Sequence, residues 1–392
     1  MVAARLRMEQ SVDNLLHVLS VTGPFLAVLT VVVFIHELGH FLVARWCGIR
    51  VQAFSIGFGR EIFGFYDRHG TRWKFCWIPL GGYVRFIDDE SAASTSSPDA
   101  LDKLTPDERK GAFQSQPLRN RAMVVAAGPA FNIASAILIY IFTFWALGTY
   151  GTAAVVDEVI PESAAAKAGL RTGDRVVEIA GNPVQRFSDL QRVVGQSPGK
   201  PLDFVIDRDG KSLNFAITPE LREIVDPIGN KVQVGAIGIK RTAGTDRWEH
   251  KTHGLLEATR MGFAETGYVS WQIISSLPKL PGAIMKTLSG QRQSEIGGPI
   301  AIAEMTAHAS KNGAAGILGW LAVFSIMLGI MNLLPIPILD GGHLLFYAVE
   351  AVRGRPLDER KQEIGFRIGL AILGTMMFAA IFGDIMRKLG IG

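Results

Sequence analysis

The sequence predicts a polytopic α-helical membrane protein with about four transmembrane helices, a β element on the cytoplasmic side and one small external domain. Three observations lead to this prediction: long runs without charge, a charged fraction of 19% and a mean hydropathy of +0.24. Soluble globular domains typically carry ~25% charged residues. An ordinary soluble enzyme, a disordered chain and a disulfide scaffold are therefore excluded. The net charge of +4 is spread along the chain and does not favour nucleic acid as a partner.

Four stretches contain no Asp, Glu, Lys or Arg, namely 14–35, 122–156, 312–339 and 368–383. Because ~20 apolar residues span a bilayer, the first three are long enough to cross it, and the fourth needs only two more apolar residues. The first stretch is too long for a signal peptide and has no small-residue cleavage site at its end. We therefore expect transmembrane helices at about Leu15–Ala44, Ala122–Tyr150, Ala314–Leu334 and Phe366–Met386.

The remaining segments complete the predicted organisation. Aromatic and β-branched runs separated by Gly or charged turns predict short strands at 51–58, 61–66, 71–78 and 83–87. The small polar stretch 91–100 is expected to be mobile. The predicted domains are the N-terminal segment with the first helix (1–44), a cytoplasmic-side segment with membrane-associated strands (45–121), the second helix (122–150), an external domain (151–240), an amphipathic external connector (241–311), the third helix (312–343), and a cytoplasmic loop with the fourth helix (344–392).

Lys and Arg near the helix ends predict the orientation of the chain. The 45–121 segment is rich in both and places Arg45 and Arg121 beside the membrane, so we expect it to face the cytoplasm. The long 151–311 region and both termini are then external, although the basic residues close to the two termini favour the opposite orientation. Cys47 and Cys76 lie in the cytoplasmic segment and are expected to stay reduced.

The first helix contains the motif His36-Glu37-Leu38-Gly39-His40. Positions i and i+4 share one helix face, so the two imidazoles can bind one Zn²⁺ with the Glu37 carboxylate beside a water molecule. Zinc lowers the pKa of that water to ~7, and a carboxylate can accept its proton and deliver it to a leaving amine. This spacing therefore predicts a zinc-dependent hydrolytic site.

The motif could also arise by chance. In addition, a lone His in an apolar helix is usually just hydrogen-bonded. Here, however, three polar residues fall within a predicted transmembrane helix. A charge at the bilayer centre costs ~2.5–3.5 kcal/mol even on the lenient insertion scale. A bound metal compensates for that cost, whereas the alternative leaves it unopposed.

A catalytic zinc usually has three protein ligands and an open position. The stretch 332–343 reads N-L-L-P-I-P-I-L-D-G-G-H. Pro335 and Pro337 cannot continue a helix, and non-helical backbone at membrane depth is tolerated only when buried in protein or lining a cavity. We expect Asp340, its one carboxylate, to be the third ligand, and the two glycines after it to allow a sharp turn. His343 is the alternative ligand, or a turn residue at the interface.

The pairing of F-I-H-E-L-G-H on the first helix with N-L-L-P-I-P-I-L-D-G-G-H after the third resembles the site-2 protease family of intramembrane zinc metalloproteases. The bacterial regulator-of-sigma-E protease group is the most similar. The resemblance extends from about Thr30 to Gly354. Further matching stretches are F-S-I-G-F-G (54–59), I-P-L-G-G-Y-V (78–84), A-G-P-A-F-N (127–132) and G-G-P-I-A-I (297–302).

This resemblance implies an intramembrane zinc endopeptidase with one Zn²⁺ per chain, ligated by His36, His40 and Asp340, with Glu37 as the catalytic base. Asn332 matches a family Asn that is thought to hold substrate, although it could equally satisfy backbone at a helix end. The implied substrates are single-span membrane proteins, such as anti-sigma factors or signal-peptide remnants, already shortened outside by a site-1-type protease. The implied location is the bacterial inner membrane, with the active site near the cytoplasmic side.

Residues 155–181 have a strand, a short Ala-rich helix, a Gly-Asp turn and a second strand, a pattern that resembles a PDZ domain of the bacterial protease type. We therefore expect one external PDZ (α+β) domain at 151–240, whereas the family's best-known members carry two. A PDZ groove binds an extended peptide by strand addition, and the alternative is a packing domain without a peptide. The strands within 51–87 could likewise pair with an unwound substrate.

Two other classes of protein remain as alternatives. A non-catalytic membrane PDZ scaffold with a structural metal site is disfavoured because His36, Glu37, His40 and Asp340 are all present. A transporter that uses buried polar residues as an ion path is disfavoured because the sequence lacks paired broken helices in two related halves.

Overall fold

The structure is a computed structural model that describes residues 2–89, 104–184, 186–225, 231–240, 248–289 and 297–389. The polar stretch predicted at 91–100 lies outside these residues. The chain divides into two units, one formed by Met1–Thr143 with Leu256–Gly392 and the other by Phe144–Leu255.

The helices are, in chain order, α1 (Val2–Trp46), α2 (Pro106–Lys110), α3 (Leu118–Phe142), α4 (Ala164–Ala168), α5 (Phe187–Gly195), α6 (Leu255–Ser276), α7 (Leu280–Leu288), α8 (Pro299–Lys311), α9 (Gly313–Asn332), α10 (Asp340–Arg353) and α11 (Glu359–Lys388). A π-helical turn at Thr143–Leu147 extends α3, and a 3₁₀ turn at Leu277–Lys279 joins α6 to α7. The strands are β1 (Val51–Tyr66), β2 (Arg72–Phe86), β3 (Thr149–Thr152), β4 (Glu158–Val159), β5 (Arg175–Ile179), β6 (Asn182–Pro183), β7 (Leu202–Arg208), β8 (Lys211–Ile217), β9 (Glu220–Val225), β10 (Lys231–Ala236), β11 (Ile239–Lys240) and β12 (Trp248–Lys251).

Four helical segments of the described chain are long and apolar enough to cross a membrane, at Val18–Trp46, Leu118–Leu147, Gly313–Asn332 and Arg360–Lys388. The predicted number of transmembrane helices agrees with this result. The bounds of these spans differ from the predicted ones by one to six residues. The first and fourth helices are longer than expected because charged residues mark the edge of an apolar run, not the end of a helix. The second ends before Gly148, whose φ of 67° leads into β3.

A long antiparallel hairpin of β1 and β2 follows α1 directly. The prediction of four short strands was wrong because the glycines bend the strands without ending them. Gly57 and Gly59 both have φ of 86°, and the pairing shifts register on either side of them. Many apolar side chains of the hairpin are exposed, which is typical of a surface that another apolar phase covers. They are Phe58, Ile62, Phe63, Phe65, Tyr66, Phe75, Trp77, Ile78 and Leu80.

The base of the hairpin packs on α1 through aromatic side chains. Phe54 is fully buried, with its ring centroid 5.3 Å from that of Phe41 in α1 and 4.4 Å from that of Trp73 in β2. Arg45, in the last turn of α1, forms an ion pair with Asp67 at the hairpin turn, at 2.5 Å. The end of α1 and the start of the hairpin therefore form one packed element.

A carboxylate of α11 caps the N-terminus of α8. Buried Asp384 accepts hydrogen bonds from the amides of Gly298 (3.1 Å), Ile300 (2.9 Å) and Ala301 (3.3 Å). The first amides of a helix lack intrahelical acceptors, so a carboxylate there is stabilising. Ile302 of the same helix packs against a core cluster that α1 and α9 share.

The second unit is built on a four-stranded antiparallel sheet in the order β6-β5-β7-β8. Its core is a cluster of buried apolar side chains that includes Phe204 and draws Ala165 from α4 and Leu190 from α5. The chain enters and leaves through paired strands, because Thr152 of β3 lies opposite Trp248 of β12. The unit thus extends beyond residue 240, the limit predicted for the external domain.

A buried ion pair links the ends of this sheet's central strands. The Asp174 side chain is 1% exposed, and its two carboxylate oxygens accept hydrogen bonds from Nε and Nη2 of Arg208 at 2.6 and 2.7 Å. Burial opposes ionisation of Asp174, but the hydrogen bonds from Arg208 and from the Arg171 amide, with the charges of both arginines, together hold the pKa of the carboxyl below its usual value. A carboxyl whose pKa is lower when folded stabilises the fold above its unfolded pKa of ~3.9 and loses that contribution as the pH falls.

We expect Asp174→Ala to lower the stability of this unit by ~2 kcal/mol, because it removes the charge-assisted hydrogen bonds that the buried carboxylate accepts from Arg208. Hydrogen exchange of the β5 and β7 amides in the full chain measures the effect. Lys167→Ala is the control, since its pair with Glu220 is exposed and worth little. Protection of the unsubstituted chain should also weaken as the pH falls from the unfolded pKa of ~3.9 toward the lower pKa of the folded carboxyl. Equal protection in the Asp174→Ala and control variants would contradict this prediction.

Candidate metal centre

α1 places the two imidazoles of the H-E-x-x-H motif side by side. His36 and His40 are one helical turn apart, and their Nε2 atoms are 3.2 Å from each other. His36 is 7% exposed. The spacing in the sequence therefore has the predicted geometric result, with both Nε2 atoms directed to one point.

Asp340 joins the two imidazoles from the first turn of α10. Its Oδ2 atom is 3.1 Å from His36 Nε2 and 3.6 Å from His40 Nε2. One ligand atom from each residue lies within 4.8 Å of the other two. The structure thus brings Asp340, 300 residues after His40 in the chain, to the two histidines with which it was predicted to share a metal.

The segment between α9 and α10 determines where Asp340 lies. α9 ends at Asn332, and Ile338 has φ of 102°, a conformation that β-branched residues rarely adopt. The prediction of a sharp turn at Gly341 and Gly342 was wrong, because both lie inside α10. A Cβ on Gly341 would collide with the Leu333 carbonyl oxygen, and one on Gly342 would lie 2.6 Å from the Cα of Pro337. These glycines serve close packing of α10 on the irregular segment.

The donor set suits a divalent cation. Among the residues that the structure describes, Asp340 Oδ2 is buried and accepts no hydrogen bond of good geometry, although both Nε2 atoms are near it. A buried carboxylate oxygen without a partner is costly. Two imidazoles and a carboxylate around one point can satisfy it by sharing a cation, and three ligands leave a coordination position open.

α3 closes over the imidazoles. His40 Nδ1 donates to the Val124 carbonyl oxygen at 2.8 Å. The helices approach closely because a Cβ on Gly39 would lie 2.5 Å from the Ala127 carbonyl oxygen, and one on Gly128 would lie 2.6 Å from His40 Cε1. Small residues allow this kind of contact between membrane helices.

The hairpin lies beside Glu37. The Val84 amide donates a hydrogen bond to the Glu37 carboxylate, and a Cβ on Gly82 would lie 3.1 Å from Glu37 Cγ. The helical turn that carries the H-E-x-x-H motif is therefore packed against Gly128 of α3 on one side and against Gly82 of β2 on another. Glu37 lies on the same turn of α1 as the candidate ligands, between His36 and His40.

The other two predicted residues are not part of this cluster. His343 is absent from the metal-binding group found in the described chain, and its ring packs 5.6 Å from that of Phe366. The alternative in which His343 is the third ligand is therefore wrong: α10 turns its ring toward α11. Asn332 is the last residue of α9, and no hydrogen bond of its side chain is described.

Sequence reasoning assigned no role to three groups on α3 that contact the imidazoles. These are the Val124 carbonyl, Gly128, and the Asn132 amide, whose Nδ2 is 3.2 Å from His36 Nδ1. The available signal was an Asn within a charge-free apolar run, since polar side chains at membrane depth rarely lack a partner.

Four candidate membrane spans and a two-histidine, one-carboxylate group beside Glu37 are the features of a membrane metalloprotease of the H-E-x-x-H type. The family model described as peptidase family M50 matches residues 24–376, and the chain belongs to this family, the site-2 proteases. The resemblance noted in the sequence is thereby confirmed, and the chain is a zinc metalloprotease.

Similar proteins carry matching names. A Rhizobium meliloti protein with the provisional name of a zinc metalloprotease is 44% identical over 379 residues, covering 96% of this chain and 99% of its own. Metalloprotease MmpA of Caulobacter vibrioides is 38% identical over 387 residues, and the match covers 92% of this chain and 94% of MmpA. The regulator of sigma-E protease RseP of Salmonella typhimurium is 29% identical over 466 residues, and the match covers 93% of this chain and 98% of RseP.

We expect Gly128→Ala to lower protease activity by ~100-fold, because the added methyl displaces both imidazoles and sub-ångström placement matters for catalysis. Bound zinc should fall with activity. Gly319→Ala is the matched control. Gly319 lies on α9, another candidate membrane span, and a Cβ there would have no neighbouring atom within 4 Å. The two variants are compared by cleavage of a transmembrane substrate, metal analysis and thermal unfolding. Normal activity in Gly128→Ala would contradict the close approach of α1 and α3.

Proposed function

We propose that this chain is an intramembrane zinc endopeptidase that cleaves single-span membrane proteins after their external part has been shortened. The convergence of His36, His40 and Asp340 within 4.8 Å, beside Glu37 on a candidate membrane span, carries this proposal. The alternative of a scaffold with a structural metal site has no observation in its favour, because three ligands leave a position open.

His36 and His40 through Nε2, and Asp340 through Oδ2, are the proposed ligands of one Zn²⁺. The same donor set also serves non-haem iron, and the names of the relatives favour zinc. Zinc bound there supplies a Lewis acid that polarises a peptide carbonyl and acidifies a water molecule.

Glu37 is the proposed general base. Its carboxylate takes a proton from the attacking water and passes it to the leaving amine. The carboxylate lies on the ligand turn of α1, with β2 beside it at Gly82 and Val84. Asn332, eight residues before Asp340, is a proposed substrate contact that rests on the family resemblance alone.

A helical substrate has its amides already paired, so it must unwind before hydrolysis. Strand addition to an exposed sheet edge offers replacement hydrogen bonds. The hairpin is a suitable partner because β2 passes directly beside Glu37. This supports cleavage of a locally extended segment of a transmembrane protein.

For the location, we propose a multi-pass protein of the bacterial inner membrane with residues 45–121 cytoplasmic and the second unit external. The basic residues around the first two membrane spans support this orientation. We further propose that the second unit is a single PDZ domain that selects substrates by binding or excluding their external part. The Ala-Gly-Leu helix and Gly-Asp turn at 164–174 support this assignment.

Glu37→Gln tests the mechanism. We expect cleavage of a transmembrane substrate to fall by ~100-fold or more, with zinc retained, because the base is lost while the ligands remain. Asp340→Ala should lose both zinc and activity. Glu363→Gln is the matched control, since Glu363 forms an exposed pair with Arg367 and is not one of the candidate ligands. Wild-type cleavage by Glu37→Gln, or an unsubstituted chain that holds no metal, would overturn the proposal.

A deletion tests the role of the second unit. Because Thr152 and Trp248 lie opposite each other, residues 153–247 can be replaced by a short Gly-containing turn that joins β3 to β12. We expect the variant to cleave a short substrate normally and to lose discrimination against substrates with an intact external domain. Inactivity toward the short substrate, in a variant that folds and binds zinc, would instead assign the unit a part in assembling the active site.

A further inference from the structure

Asn132 of α3 is the polar side chain that contacts the outer nitrogen of His36. The residue is fully buried, and its Nδ2 atom is 3.2 Å from His36 Nδ1. Its Oδ1 atom is buried and has no hydrogen-bonding partner among the described residues. A buried amide with one unused oxygen is costly, so its retention in an apolar helix needs a physical reason.

His40 shows how the neighbouring imidazole is held. Its Nδ1 lies 2.8 Å from the Val124 carbonyl oxygen, which can only accept a hydrogen bond. The proton of neutral His40 must therefore be on Nδ1, and Nε2 keeps its lone pair. That lone pair is on the side of the ring where His36 Nε2 and Asp340 Oδ2 lie.

His36 has the same arrangement of its two nitrogens. Nε2 is 3.1 Å from Asp340 Oδ2, while Nδ1 is turned to Asn132. To offer an Nε2 lone pair to a cation, neutral His36 must carry its proton on Nδ1, and that N–H then needs an acceptor. The Asn132 amide is the group described within hydrogen-bond distance of Nδ1 from another helix.

The amide of Asn132 can supply that acceptor by rotating half a turn. Amide oxygen and nitrogen have nearly the same size and shape, so the rotation places Oδ1 where Nδ2 lies and needs no extra space. It breaks no hydrogen bond of Oδ1, because Oδ1 has none in the described chain, and it moves Nδ2 into that unpaired position. The hydrogen bond that Oδ1 then accepts from His36 Nδ1–H takes the place of the one between Nδ2 and Nδ1. The orientation with Nδ2 toward Nδ1 corresponds instead to His36 with its proton on Nε2, facing Asp340.

We propose that Asn132 is a positioning residue for the metal centre: it accepts a hydrogen bond from His36 Nδ1–H and so fixes the tautomer in which Nε2 binds the metal. This inference rests on the proposed metal centre. Asn132 does not touch the metal or the substrate. It does for His36 what the Val124 carbonyl does for His40.

The backbone of Asn132 is held firmly enough for this role. Its carbonyl oxygen accepts from Ser135 Oγ at 2.8 Å and from Ser325 Oγ of α9 at 3.0 Å. Gly329 of α9 allows the close contact, because a Cβ there would lie 3.3 Å from Asn132 Cβ. The side chain therefore starts from a fixed backbone position, and the orientation of its amide decides which atom faces His36 Nδ1.

The test measures the zinc dissociation constant of the full purified chain by competition with a chelator of known affinity. We expect Asn132→Leu, which has a similar volume and no acceptor, to bind zinc about 10–100-fold more weakly. Asn132→Asp should restore affinity close to that of the unsubstituted chain, because a carboxylate accepts in either orientation. Asn120→Leu is the matched control, being the same substitution on the same helix at a site paired with Gln116.

The outcomes separate this inference from the proposed function. An unsubstituted chain without zinc affinity overturns the metal centre itself. Unchanged zinc affinity in Asn132→Leu, with normal binding by the unsubstituted chain, overturns only the role of Asn132. Equal losses in the Leu and Asp variants, both with normal thermal unfolding, would assign Asn132 a packing role and overturn the inference too. If Asn132→Leu does not fold, Asn132→Ala removes the same acceptor and replaces it in the comparison.

Discussion

The close approach of α1 and α3 at Gly39 and Gly128 is the contact on which the candidate centre depends. Hydrocarbon offers no water to polar side chains, so each polar group on α1 must find its partner in protein. With no Cβ between the helices, α3 reaches the imidazoles and presents the Val124 carbonyl and the Asn132 amide to their outer nitrogens. Both Nε2 atoms are thereby left free on the opposite side, where Asp340 lies.

α3 also contacts the helix that carries Asp340. Arg121 forms a largely buried ion pair with Glu350, the side chains being 12% and 15% exposed, and so ties α10 to α3. Because α10 begins at Asp340, the same helix that orients the imidazoles also helps to fix the carboxylate. On the other side of α1, the hairpin is anchored by Phe54 and brings β2 next to Glu37. The proposed base and the proposed ligands are thus supported by separate elements.

The predictions that succeeded rested on strong local rules. H-E-x-x-H spacing determines a shared helix face, and charge-free runs identify the four candidate membrane spans. Helix ends were predicted less well, since charges such as Arg360 and Arg387 continue a helix beyond the apolar run. The four short strands became two because glycine in a strand can mean a bulge as well as an end.

The sequence by itself determined the membrane class, the candidate ligand pair on α1 and the choice of Asp340 as the candidate carboxylate that follows the broken third span. These depend on residue type and spacing, which are local properties. Only the tertiary structure decided that His343 turns toward Phe366, that Gly341 and Gly342 pack a helix instead of forming a turn, and that Asn132 meets His36. Contacts between helices depend on crossing position and rotation, and no periodicity within one helix encodes them.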